Sequence, residues 1–520
     1  MKKSDAWLGS TQPFMAVASA SFVLLFLVLV LANLDSVGSF QSAAQSFVAL
    51  HFSTYLVWVV TIIMLFMIAV AVSPYGRIRL GKDDERPEFS RFSWFAMLFS
   101  AGVGAGILFY GVAEPMLHLQ ANPYLVRDGV APLSAEAAVI AQRITLFHWG
   151  LHGWAVYSMV GLCLGYFCYR RGLPLSIRSA LYPFLGERIY GPAGHIIDLL
   201  AVLSTLFGIA VSLGLGASQI ASGLQYLFGI EFSPLAKFAL ILVVSSIATA
   251  SAVSGVGRGI RRLSEINIWL SMVLIGFLIL VGPTVVILLA FANGTADYFS
   301  TFLPMGVWVN PDRSDPWQGS WTIFYWGWWI AWAPFVGIFI ARISRGRSVR
   351  EYVIGTLLAP TLGGFLWLSV FGATALDIQL NGPGGLAEAV NQDMTQALFT
   401  MFEMLGVDWA TWGLSLLATV LIVSWFVTSC DSGTLVISTI ICSGDTNPPR
   451  MLRIMWGTMI GLVAGVLLLA GGLPALQTAS TAIAVPFSVV LLMMMVGLSR
   501  SLFRSEGNKR LPVIKGGRAR

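Results

Sequence analysis

The sequence predicts an all-α polytopic membrane protein with twelve transmembrane helices, and three observations carry that expectation. The 520-residue chain is 57% hydrophobic and only 11% charged, with a mean hydropathy of +0.79, far from the soluble globular range. Apolar runs of the roughly 20 residues that cross a bilayer recur along its whole length. Lysine and arginine gather in alternate connections between those runs, as membrane topology requires.

The twelve spans fall at 15–35, 50–73, 92–119, 143–169, 196–228, 235–254, 265–294, 320–345, 351–376, 410–440, 451–472 and 478–500. Several exceed the bilayer thickness, which implies tilt or a broken helix. Lys2 and Lys3 precede span 1 and an apolar run that ends in no cleavage-site pattern, so that run is read as a retained helix. Arg77, Arg79, Lys82, Arg86 and Arg91 lie between spans 2 and 3, Arg170, Arg171, Arg178 and Arg188 between 4 and 5, and Arg258, Arg261 and Arg262 between 6 and 7. Arg342, Arg345, Arg347 and Arg350 join spans 8 and 9, and Arg450 and Arg453 join 10 and 11. The intervening connections offer only Arg127, Arg143 and Arg313, with Lys237 near the start of span 6. Both termini are therefore expected in the cytoplasm, which an even span count satisfies. The chain divides into a tail, 1–14, a membrane domain, 15–500, and a short basic tail, 501–520.

The basic pI of about 9.2 follows from these loops and indicates no nucleic-acid surface. Cys163, Cys168, Cys430 and Cys442 sit in or beside apolar segments without metal-ligand spacing or a disulfide framework. Between spans 9 and 10, LAEAVNQDMTQALFTMFEML has helical apolar spacing and no Lys or Arg, the pattern of an amphipathic helix on the outer surface. The connection 294–320, with Pro304 and Trp308, is expected to be ordered against the same face.

Residues 321–347, WTIFYWGWWIAWAPFVGIFIARISRGR, dominate the functional reading. Trp326, Trp328, Trp329 and Trp332 fall within seven residues. On a helix, Trp328 and Trp329 lie four and three positions before Trp332, on neighbouring parts of one side. An interfacial aromatic belt explains Trp317 and Trp321. It explains Trp329 and Trp332 poorly, because they lie about two turns deeper. Indole faces attract cations by roughly 0.5–2 kcal/mol each, and quaternary ammonium groups are the usual guests of an aromatic cage.

Three further stretches interrupt apolar spans. Span 3 contains SAGVGAGILFYGVAEP, where Gly102, Gly104 and Gly106 either permit close helix packing or mark an unwound segment lining a cavity. Span 10 contains SWFVTSCDSGTL. Its Thr428 and Ser429 oxygens suit sodium, and an intramembrane Asp431 argues against hydroxyls that merely bond back to the helix. Span 4 contains FHWGLHGWAVYSMVG, whose Trp149, Trp154 and Tyr157 form a second aromatic wall. His148 and His152 lie four apart but lack an H-E-x-x-H pattern and an evident third ligand, so they read as structural. No base is paired with Ser432 and Asp431, so no enzyme is expected. Interruptions in spans 3, 8 and 10 fit two inverted five-helix repeats, spans 3–7 and 8–12, after two added helices.

At these motifs the sequence resembles the betaine/choline/carnitine transporter family. WGWWIAWAPFVGIFIARISRGR, FHWGLHGWAVY, AGVGAGILFYGVAEP and FVTSCDSG carry the resemblance, which spans nearly all the membrane part. It implies a LeuT-like inverted-repeat fold, a homotrimer in the bacterial inner membrane, and no organic cofactor. It also implies a small zwitterionic substrate caged by Trp149, Trp154, Tyr157 and Trp329, with Trp328 and Trp332 nearby. One sodium site is implied at the Thr428 and Ser429 hydroxyls and the carbonyls of Ser100, Val103 and Trp425. A second is implied at Thr205 and Phe335, but Ile209 stands where the family has another threonine and offers no oxygen. Ile268 stands where sodium-independent exchangers place arginine, which favours sodium coupling. Choline-taking relatives tend to have aspartate where this chain has Gly106, so a betaine-like zwitterion is expected. Sodium-independent exchange of such solutes is the alternative.

Overall fold

The computed structural model describes residues 11–102, 104–253 and 257–507, with 99–102, 257–264 and 505–507 in backbone alone. The tails expected at 1–14 and 501–520 are thus only partly covered. Among the described residues there is no strand, only an isolated bridge between Arg79 and Ser348, and ten helices are long and apolar enough to cross a membrane.

The chain opens with α1 (Pro13–Ala32) and α2 (Leu34–Val72), parted only at Asn33. Span 3 is two helices, α3 (Arg91–Gly102) and α4 (Ala105–Gln120). Gly104 precedes α4 with extended backbone, φ −128° and ψ −170°. The glycine run is therefore a break between helices. A short α5 (Pro123–Asp128) follows, its first turn capped by Asn122, which accepts from the Leu125 N–H.

Span 4 also differs from expectation. It is α6 (Ala135–His148) and α7 (Leu151–Leu164), continued by a wide turn to Arg170. The break falls at Trp149 and Gly150, inside what reads as one apolar run. The orphan Leu151 N–H at the start of α7 is satisfied by the Tyr298 hydroxyl at 2.7 Å.

Next come α8 (Pro192–Phe228), α9 (Pro234–Val253), α10 (Gly257–Val281) and α11 (Thr284–Val307). The last two correct the expected span 265–294 and the expected 294–320 connection. Gly282 and Pro283 end one helix, since proline restricts the residue before it and donates no bond, and α11 carries Pro304 inside it. The Thr284 hydroxyl donates to the Ile279 carbonyl at 2.6 Å, covering an end that α10 leaves open.

The tryptophan-rich segment forms α12 (Phe324–Ile343) after a wide turn at Gly319–Ile323, and it runs unbroken through Pro334. The expected interruption of span 8 is absent. Helix α13 (Val349–Leu380) follows, capped by Ser348. The single amphipathic helix expected before span 10 is two short ones, α14 (Leu386–Gln392) and α15 (Ala397–Met404). Helix α16 (Asp408–Ile441) is continuous, so span 10 is not broken either. Its hydroxyls bond back to the preceding turn instead, Thr434 to the Cys430 carbonyl at 2.7 Å and Ser438 to the Thr434 carbonyl at 2.8 Å. The final helical run, Arg450–Gly507, is parted at Gly471 and Gly472, where φ reaches +68°; this separates the expected spans 11 and 12.

Helices α7 and α12 pack together at the centre, with α8 against α12 and α16. Below them the basic exit of α12 is fastened to the 79–90 segment. The Leu80 N–H bonds the Arg347 carbonyl at 2.9 Å, and the Arg347 guanidinium meets Glu351 at 2.7 Å and the Phe89 carbonyl at 2.7 Å. That guanidinium also lies 4.0 Å from the Trp94 ring centroid. This joint ties together the ends of spans 2, 3, 8 and 9 that carry the basic residues.

Candidate functional site

Where the two broken spans face α12, aromatic side chains line a small chamber with a cavity volume of about 20 Å³. Its lining is Gly104, Gly106, Ile107, Trp149, Tyr157, Ser212, Trp328, Trp329 and Trp332. Each wall follows from local structure. Trp149 occupies the turn between α6 and α7, which frees its indole from either helix axis. Tyr157 lies two turns into α7. Trp328, Trp329 and Trp332 follow the i, i+3, i+4 rule on α12.

The tryptophan rings meet edge to face, the arrangement that aromatic quadrupoles prefer, and Tyr157 is tilted against Trp329. Trp149 stands 6.1 Å from Trp328 at 82° and 6.0 Å from Trp329 at 76°. Tyr157 lies 4.8 Å from Trp329, and Trp328 stands 6.4 Å from Trp332 at 83°. Trp154 does not line the chamber; it packs 5.5 Å from Trp329, behind it, and 5.7 Å from Tyr157. Gly102, in the last turn of α3, is described in backbone alone.

Hydrogen bonds fix two of the three lining indoles of α12. Trp329 donates to the His148 carbonyl at 3.0 Å, a group freed by the break after α6, and Trp328 donates to the Gly208 carbonyl at 3.3 Å. Among the described residues, the buried Trp332 N–H has no acceptor. Ile107 and Ser212 are lining residues that the sequence reading missed. Each belongs to an element whose own pattern is fully explained by packing, so only the tertiary fold reveals them.

The proposed ion ligands are distributed as follows. Thr428 is half-buried, and its hydroxyl donates at 3.1 Å to both the Ser424 and the Trp425 carbonyls. Ser429 faces the helix break, since a Cβ added at Gly104 would lie 3.8 Å from its hydroxyl. Val103 lies outside the described residues, and Ser100 is described in backbone alone. Thr205 is fully buried, with no hydrogen-bond partner for its hydroxyl among the described residues. Phe335 is buried 5.3 Å from Trp332. Ile209 packs on α16 so closely that a Cβ at Gly433 would come within 2.1 Å of its Cδ1. Ile268 is half-buried on α10.

Asp431 is bound by the Ser251 hydroxyl at 2.9 Å, on α9, away from the chamber. His148 and His152 do not act as a pair. His152 stacks on Trp326 at 5.5 Å. His148 instead joins Glu114 and His118, three buried groups whose ligand atoms lie within 4.8 Å of one another. The sequence reading found no third partner because Glu114 and His118 sit on a different span.

The fold and the chamber define a polytopic membrane protein that encloses a small apolar-walled site. Residues 14–507 match the family described as BCCT, betaine/carnitine/choline family transporter. A glycine betaine transporter of Bacillus subtilis is 43% identical over 475 residues, covering 91% of each chain. A probable glycine betaine transporter of Desulfitobacterium hafniense is 40% identical over 93% of this chain and 96% of its own. A glycine betaine/proline/choline transporter of Vibrio parahaemolyticus is 39% identical over 93% of this chain and 89% of its own. The chain belongs to the betaine/carnitine/choline family and is a transporter, not an enzyme.

Proposed function

We propose that this transporter imports a zwitterionic quaternary ammonium or sulfonium compound of the glycine betaine kind, by sodium symport with alternating access. The observation that carries this reading is the chamber, where Trp149, Tyr157, Trp328 and Trp329 present ring faces and edges around one small volume. A trimethylammonium head has no N–H to donate, so ring quadrupoles are its natural partners, at roughly 0.5–2 kcal/mol per face. Trp154 acts from behind, holding Trp329 and Tyr157.

A zwitterion also needs an acceptor-seeking pole. The unpartnered Trp332 N–H and the N-terminus of α4, which begins at Ala105 beside the chamber, both suit a carboxylate. Gly102, Gly104 and Gly106 give the backbone freedom to open that break. The names of the relatives support a betaine-type substrate.

For the ion, Thr428 and Ser429 supply hydroxyls and Ser100, Val103 and Trp425 supply carbonyls; a second site at Thr205 and Phe335 lacks the oxygen that Ile209 does not offer. Neutral oxygens suit a hard monovalent cation, and binding of both ligands must favour closure for coupling to work. We read the spans as two inverted repeats, 3–7 and 8–12, with α11 along the rim, its apolar residues largely exposed. Assembly as a homotrimer in the bacterial inner membrane, with both termini in the cytoplasm, completes the reading.

A second reading is sodium-independent exchange of betaine-like solutes, favoured by Ile209, whose side chain fills its place with carbon. Uptake of labelled glycine betaine into proteoliposomes separates the two. Symport gives accumulation with an inward sodium gradient and little with potassium on both sides. Undiminished exchange without sodium overturns it.

A further inference from the structure

Behind the chamber wall lies a polar layer centred on Glu114, fully buried on α4. Groups from three other places on the chain converge on its carboxylate. Oε2 accepts from the Tyr325 hydroxyl and from the Trp149 Nε1–H at 3.1 Å; the same indole N–H is also 3.1 Å from the Tyr325 oxygen. Oε1 lies 2.6 Å from His148 Nδ1. His118, one turn along α4, brings Nε2 to 3.4 Å of Oε1. The ring of His148 stacks on Tyr325 at 4.6 Å and 14°, and its Nε2 meets the Thr322 hydroxyl at 3.1 Å. Tryptophan can only donate, so Trp149 reaches this acceptor in one orientation.

The same Glu-His-His set matches a metal-ligand pattern, yet its geometry favours hydrogen bonding. Two ligands about 2.1 Å from a tetrahedral zinc stand roughly 3.4 Å apart, whereas the Glu114–His148 separation is 2.6 Å. A metal ion here would also place positive charge behind a wall that faces a cation.

We propose that Glu114 is a positioning residue for the chamber, acting through Trp149. Its acceptor oxygen locks the indole across the break between α6 and α7, so the wall is preorganised for a cationic head. In a water-excluded layer such a bond is strong and directional. The proposal rests on the transport reading above and adds the residue that sets its affinity.

A double-substitution cycle in proteoliposomes, with labelled glycine betaine, tests it. Glu114→Gln keeps the shape and replaces one acceptor with a donor; it should raise KM about tenfold or more, with the maximal rate within about threefold. Trp149→Phe keeps a ring but removes the N–H, and should raise KM as well. The expected result is strong coupling: Glu114→Gln adds less than about threefold in the Trp149→Phe background. Glu114→Asp, which retains the carboxylate, should recover part of the affinity. Full additivity, or an unchanged KM in Glu114→Gln, overturns the proposal. Should Glu114→Gln fail to fold, Trp149→Phe alone decides, because an unchanged KM there removes the N–H from any role. Absence of betaine uptake by the unsubstituted protein defeats the transport reading and this inference together; intact uptake with an additive cycle defeats this inference alone.

Discussion

The Trp329 indole lies flat on the backbone of Gly153: a Cβ built at that glycine would fall 2.3 Å from the ring atom Cε2. The same relationship recurs twice around the chamber. A Cβ at Gly106 would come within 2.4 Å of Trp328, and one at Gly208 within 2.6 Å of Trp332. Three glycines on three different helices thus seat three tryptophans of one helix. Here glycine serves close approach. Gly153→Ala should therefore push Trp329 from its seat, raising KM for glycine betaine about tenfold with an overpacking cost of about 1–3 kcal/mol. Uptake kinetics with thermal unfolding check this, and a wild-type KM would show that Trp329 has room to move.

Gly106→Asp tests a different wall. The sequence argument concerns charge, since an added carboxylate repels a zwitterion's own. The structure adds a steric reason, because the aspartate Cβ collides with Trp328. Betaine uptake should fall at least tenfold. Gly106→Ala carries the collision without the charge, so a comparable loss there assigns the effect to Trp328, and a mild one assigns it to charge.

Trp329→Leu should raise the apparent substrate constant by about tenfold or more, since a cation–π face of up to roughly 2 kcal/mol is lost. The lost bond to the His148 carbonyl adds to this, because it leaves that buried acceptor bare. Unaltered transport would remove the ring from the site.

Thr428→Ala separates an ion ligand from a helix hydroxyl. The Thr428 oxygen bonds two carbonyls of its own helix, including that of Trp425, itself a proposed ligand. If the oxygens bind sodium, the half-saturating sodium concentration should rise several-fold with the maximal rate less affected. An unchanged sodium titration places the ion elsewhere.

Much of the fold was legible because bilayer physics writes it into the sequence. Long apolar runs and alternating basic loops located most of the helices, though α2 begins at Leu34, well before the expected residue 50, and α6 begins at Ala135, ahead of the expected 143. The misreadings have physical causes. The break at Trp149–Gly150 lies in a run whose apolar character never lapses, and it is held open by Tyr298 from a remote helix. Helix α11 was hidden because Pro283 interrupts a run that hydropathy alone reads as continuous. In α16 the cluster of hydroxyls looked like a break, but hydroxyls can also satisfy the carbonyls of an intact turn. The tryptophan spacing marked the chamber wall on α12, and Trp149 and Tyr157 joined it. Ser212, Ile107 and the Glu114–His148 contact escaped notice because each exists only where separate helices meet.

The central claim is that the chamber recognises positive charge and not merely a bulky head. The most direct measurement is competition against labelled glycine betaine uptake by two ligands of one shape: unlabelled glycine betaine and 3,3-dimethylbutanoate, in which carbon replaces the quaternary nitrogen. The aromatic cage predicts that the neutral-headed analogue competes at least about tenfold more weakly, the loss of one to two cation–π faces. Equal competition would mean that the tryptophans provide only shape, and would contradict the account.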